Sequence, residues 1–155
     1  MNMFSNSQFK QLYGLIGYPL GHSFSQDYFN EKFDAERIDA RYINFEIPRI
    51  EDVRGIVADN RNLAGFNVTI PYKEQIFSYL DDVDAEARAI GAVNVVKVER
   101  AADGSARLVG YNSDYSAFGD SIAPMIKSNV HHAALVLGTG GASKAVAHAL
   151  RRMGI

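Results

Sequence analysis

Side chains able to hold a charged or hydroxylated ligand recur where apolar runs of strand length give way to turns. The richest such turn is Gly138-Thr139-Gly140-Gly141-Ala142-Ser143, between the apolar run Ala133–Leu137 and a segment of helical period. Glycines at such a turn let the backbone bend sharply and approach a pyrophosphate, whose charge is favoured at a helix N-terminus. Gly138, Gly140, Gly141, Ala142 and Ser143 are the candidate phosphate-binding positions, with Ser143 where a third glycine would complete the fingerprint. A plain glycine-rich turn between strand and helix is the other reading.

Four more sites follow strands or lie within them. Ser23 and Ser25, after the first apolar run, put two hydroxyls at a helix start, where exposed N–H groups also favour a carboxylate. Ser23 with Gln26 three residues on equally matches a capping box. Asn67 and Thr69 share one strand face, opposite Phe66, Val68 and Ile70, and a polar pair there wants a ligand or a protein partner. Lys73 follows at once and is either a ligand group or a solvated lysine. Asn94 lies in the otherwise apolar Ala92–Val96, where a buried amide must be paired as a clip or as a ligand contact. Asn112, Ser113 and Asp114 open a helix, and each can serve its N-terminus instead of a ligand.

These positions depend on alternating elements. Strands are predicted over Tyr13–Tyr18, Ala40–Ile47, Ala64–Ile70 and Ala133–Leu137. Helices are predicted over Ser25–Phe33, Ile50–Ala58, Lys73–Leu80, Asp84–Ile90, Asp114–Ile126 and Ala142–Met153. Ala92–Glu99 and Arg107–Tyr111 flank Ala102-Asp103-Gly104-Ser105 as a hairpin. The pattern implies an α/β fold: a mostly parallel sheet with an antiparallel hairpin strand, then one further βα unit. The expected division is a ligand-binding domain over residues 1–116, a linking helix over 117–130 and a second unit over 131–155.

The net charge of −2 comes with both signs scattered and no long basic run, so no nucleic-acid partner is expected. The chain has no cysteine, which removes thiolate metal sites and cysteine nucleophiles and fits a reducing compartment. No metal-ligand set is expected: His131, His132 and His148 read as surface residues, and His22 as shaping the serine loop. Met1–Lys10 shows no signal-peptide pattern and no stretch is long enough to span a bilayer, so a cytoplasmic protein without membrane contact is expected.

Taken in order, GYPLGHSFS, GFNVTIPYK, IGAVNVV, GYNSD and LGTGGAS resemble the signatures of the shikimate dehydrogenase family, from Tyr13 to the end of the chain. The resemblance implies a substrate domain for shikimate or 3-dehydroshikimate and a Rossmann domain for NADP. By it, Ser23 and Ser25 match hydroxyls that bind the substrate carboxylate. Asn67, Thr69, Asn94 and Asp114 match residues around the ring hydroxyls, and Lys73 with Asp114 matches the catalytic pair. Gly138–Ser143 corresponds to the phosphate-binding turn. Oxidising a secondary alcohol removes a hydride and a proton; an ammonium beside a carboxylate suits the proton's half of that chemistry.

Gln26 departs from the proline usual after the second serine, Ser113 from a common threonine, and Ala117 from a frequent glycine. Residues reading the 2′-phosphate and nicotinamide match nothing up to Ile155, so impaired NADP binding is expected of these residues, with catalysis incomplete. A non-catalytic shikimate-binding module and a quinate/shikimate dehydrogenase are the alternatives. The last helix, with Val146, Leu150 and Met153 apolar, is expected either to pack back on the first domain or to drive self-association.

Overall fold

The computed structural model describes residues 8–21 and 23–155; His22 and most of the polar N-terminal stretch lie outside them. Six strands form one sheet: β1 (Gln11–Gly17), β2 (Ala40–Glu46), β3 (Leu63–Val68), β4 (Asp82–Val83), β5 (Val95–Arg100) and β6 (Ala106–Tyr111). Their order is β2-β1-β3-β5-β6-β4. β1 runs parallel to β2 and β3, and β4 to β6. β5 is antiparallel to both β3 and β6. The mostly parallel sheet with its antiparallel hairpin matches the alternation of the sequence.

Helices α1 (Ser25–Glu36), α2 (Val53–Asp59), α3 (Ala85–Ile90), α4 (Asp114–Ile122) and α5 (Gly141–Arg152) complete the fold. Alternating strand residues send Leu12, Ile16, Phe66, Val68 and Val96 to the main core, where Val53 and Val57 of α2 meet them. The opposite face carries a smaller core of Leu15, Leu20, Phe33, Ala40 and Tyr42 beneath α1. Among the described residues, no helix is long and apolar enough to cross a membrane.

Gly65 sits between these layers on β3. A Cβ there would stand 2.8 Å from the Val96 carbonyl oxygen of β5. That neighbour is backbone inside a ladder and cannot swing aside. Gly65→Ala is expected to destabilise the fold by about 1–3 kcal/mol, read as a lowered urea midpoint. An unchanged midpoint would show that the two strands have slack.

Several elements differ from expectation. Residues 133–137 form no strand, and Leu135 and Leu137 are 85% and 86% exposed. Apolar β-formers make a strand only where another strand supplies ladder partners, and no described segment does so here. Ala92–Asn94 precede β5 rather than belong to it, because Val93 N–H donates to the Lys73 carbonyl at 2.8 Å. Residues 75–79 form a 3-10 turn where a longer helix was expected, and α4 stops at Ile122 before a 3-10 turn containing Pro124.

The last helix packs back on the sheet domain. Ala145, Ala149 and Leu150 are buried, and Ala145 joins Ile90 and Ala92 in a small cluster. Of the apolar face expected to be uncovered, Leu150 is therefore covered, and Met153 lies near Gly119 of α4. His148, expected at the surface, places Nε2 2.7 Å from Glu86 Oε2 of α3, while Arg152 donates to Glu86 Oε1 at 2.6 Å. The His148 bond first, with Arg152, holds the Glu86 carboxyl below its ordinary range.

Candidate active site

Three elements end at one rim of the sheet, and their polar side chains connect there. Lys73 follows β3 by a short turn, and its Nζ donates to Asp114 Oδ2 at 2.6 Å. Asp114 is the first residue of α4, where a carboxylate is favoured by the helix dipole. Asn112, not Ser113, caps this helix: its Oδ1 accepts from the N–H groups of Asp114 and Tyr115 at 3.0 and 3.3 Å. Its amide also donates to the Ala92 carbonyl at 2.9 Å, fixing where α4 begins.

Asn94 is buried between the two. Its Nδ2 donates to Asp114 Oδ1 at 2.6 Å and to Ser113 Oγ at 3.0 Å, and its Oδ1 accepts from Ser113 N–H at 2.8 Å. Both amide hydrogens are used inside the protein, so in this arrangement Asn94 is a clip that aims Asp114. Asp114 thus receives a donor on each oxygen, while the Lys73 ammonium, with three donors, has two beyond its Asp114 bond. The side chains of Lys73 and Asp114 are 16% and 32% exposed, open on one side only.

Asn67 links this group to a second one. Its Nδ2 lies 3.4 Å from the Asn94 carbonyl oxygen, and its Oδ1 accepts from the Tyr42 hydroxyl at 2.8 Å. Burial pushes the Tyr42 hydroxyl up from its ordinary value, opposed by the Ser25 hydroxyl acting on the same oxygen. One connected path therefore runs from Tyr42 on β2 across the sheet to Lys73. Ser23 stands beside it with a buried Oγ that has no partner among the described residues. Thr69 lies one residue past β3 and packs its methyl against Gly17 of β1.

The serine loop is not held by the capping box. The residue preceding α1 is Phe24, with no side-chain cap bond. Gln26 instead reaches across to β2, where its Oε1 accepts from Asn44 N–H at 2.7 Å. One turn later Asn30 accepts from Tyr42 N–H at 2.9 Å and donates to Tyr42 C=O at 3.0 Å. β2 is the edge of the sheet, and these amides take the place of a seventh strand there. Gln26 thus ties α1 down on β2.

Tyr42 was not singled out from sequence. The available signal was a tyrosine inside a half-buried strand, whose hydroxyl needs a partner wherever the ring is covered.

The glycine turn reaches the same place. A Cβ on Gly141 would stand 2.9 Å from Lys73 Cβ and 3.1 Å from Ala92 Cβ, so only glycine lets α5 lie against the lysine stem. The N-cap of α5 is Gly140, extended and without a side-chain cap bond. Such an N-terminus fits a phosphate. Among the described residues, segment 133–137 pairs with no strand. A separate apolar groove of about 390 Å³ runs from Asn67 past Phe29 and Phe33 to Ile38, away from Lys73.

Residues 15–96 match the family described as shikimate dehydrogenase substrate binding domain. The chain is 39% identical over 153 residues to a shikimate dehydrogenase (NADP(+)) of Methanococcus maripaludis, covering 95% of this chain and 51% of that protein. It superposes on shikimate dehydrogenase from Aquifex aeolicus with TM-score 0.79 and 39% identity, over 94% of this chain and 53% of the other. The shikimate 5-dehydrogenase of Thermus thermophilus, solved with NADP(H) and shikimate, gives 0.77 and 35%, over 94% and 53%. The chain spans about half the length of the curated relatives it matches.

Proposed function

This chain belongs to the shikimate dehydrogenase family, with residues 15–96 matching its substrate-binding domain, and on that premise we propose that its rim binds shikimate and 3-dehydroshikimate for NADP-dependent interconversion in the cytoplasm. The connected path Tyr42–Asn67–Asn94–Asp114–Lys73 carries this reading, because it gathers hydroxyl, amide, carboxylate and ammonium groups along one rim of the sheet. Ser23 and Ser25, at the start of α1, receive the carboxylate; Ser23 Oγ is buried and has no hydrogen-bond partner among the described residues. Asn67 and Thr69 face the ring hydroxyls, with Asp114 accepting from the hydroxyl next to Lys73.

NADPH supplies the hydride that turns the ketone into an alcohol. Lys73 gives its proton to the carbonyl oxygen as negative charge develops there, and Asp114 holds the ammonium in line. In the reverse direction the same amine takes the hydroxyl proton. Gly138, Gly140, Gly141, Ala142 and Ser143 are the positions that would hold the cofactor's phosphates at the α5 N-terminus. The contact between Gly141 and Lys73 would keep that end close to the reacting centre.

A second reading is a non-catalytic module that binds shikimate without turnover. Calorimetric titration with shikimate, quinate and NADP separates the readings. Shikimate is expected to bind, and NADP far more weakly. No heat with shikimate up to millimolar concentration would remove the substrate assignment, and tighter quinate binding would change the substrate.

A further inference from the structure

Tyr42 is 3% exposed and held on every side. Its backbone is gripped by the Asn30 amide in both directions. Its ring stacks on Phe29 of α1, centroids 4.8 Å apart and planes at 18°. Its hydroxyl reaches past β1 to Asn67 on β3, donating at 2.8 Å. Kept protonated by burial, that hydroxyl is a donor throughout the physiological range.

The far edge of the Asn67 amide faces the Asn94 carbonyl oxygen, which can only accept. Turning the amide over would set two acceptor oxygens together and make the Tyr42 hydroxyl rotate to accept from the NH2 group, so that its proton loses the acceptor it uses here. The two neighbours thus select one orientation. In it, one amide hydrogen of Asn67 points to Asn94 and the other is left for a ligand oxygen.

Resting on the reading of this rim as a shikimate site, we propose that Tyr42 is a positioning residue which, by donating to Asn67 Oδ1, makes Asn67 a hydrogen-bond donor towards the bound hydroxy acid. The site then selects for an acceptor oxygen at that place, although Tyr42 itself never touches the ligand. Tyr42→Phe keeps the ring, the stack and the backbone grip. It removes the proton that pins the amide.

The test is a double-mutant cycle on this chain, with shikimate binding by calorimetry and a ligand-free NMR arm. Tyr42→Phe is expected to weaken shikimate binding about 5- to 30-fold. In an Asn67→Ala background the same substitution is expected to change binding less than about twofold. Additive losses would mean that Tyr42 merely supports the fold and would overturn the proposal, as would native affinity in Tyr42→Phe.

The NMR arm follows the contact between the Asn67 side-chain amide hydrogens and the Val68 amide hydrogen, both of which point at the Asn94 carbonyl. It should be strong in the native chain and weakened in Tyr42→Phe; full persistence overturns the positioning role. Should the native chain bind no shikimate, the substrate reading falls while this contact still decides what Tyr42 does.

Discussion

Methionine at Lys73 is expected to lower turnover by about 10²- to 10⁴-fold in a protein that joins this domain to a complete dinucleotide-binding domain. Methionine is the informative choice, because the lysine stem packs beside the position of Gly141 and beside Ala92, and an alanine would also open a gap. What disappears is the ammonium 2.6 Å from Asp114, and with it the proton for the reacting oxygen. Hydride transfer without that proton must develop an uncompensated alkoxide in a partly closed site. Shikimate affinity should fall far less, since Ser23, Ser25, Asn67 and Thr69 remain in place. The measurement is kcat with 3-dehydroshikimate against the shikimate Kd of the same variant. A large loss of affinity with unchanged kcat would make Lys73 a binding group and leave the proton donor unidentified.

The sequence was most readable where a local rule and the tertiary fold agree. Asn67 and Thr69 could be placed at the rim because strand alternation and Pro71 mark both face and end. The glycine turn was visible because apolar residues precede it and a helix follows. Long-range partners were not readable. Nothing near His148 announces Glu86, which is 62 residues away on α3. The pairing of Gln26 and Asn30 with an edge strand copies backbone geometry with side chains, so local capping patterns misread Gln26.

Two apolar runs were misplaced for opposite reasons. Val93 turns its N–H out of the ladder to serve the Lys73 carbonyl, whereas 133–137 have strand composition and no ladder to join among the described residues. Periodicity reports what a segment could bury, and neighbours decide whether it does.

The geometry also fixes how Lys73 and Asp114 should combine. Asp114 accepts from Lys73 on one oxygen and from Asn94 on the other, and both partners are donors. Asp114→Asn preserves the shape but offers only one acceptor edge, so its NH2 group must face either the ammonium or the Asn94 amide. One choice sets NH2 against the ammonium and the other against the Asn94 amide; both remove the negative charge that holds Lys73, and turnover is expected to fall by about 10²- to 10³-fold. Because the aspartate works by holding the lysine, the double variant Lys73→Met with Asp114→Asn should be within about fivefold of the worse single variant. Independent residues would instead multiply, giving on the order of 10⁴- to 10⁷-fold. Rates for the four proteins at saturating 3-dehydroshikimate decide between these outcomes. A multiplicative result would mean that Asp114 serves turnover through its substrate hydroxyl alone, and that its 2.6 Å contact with Lys73 is incidental to the proton's path.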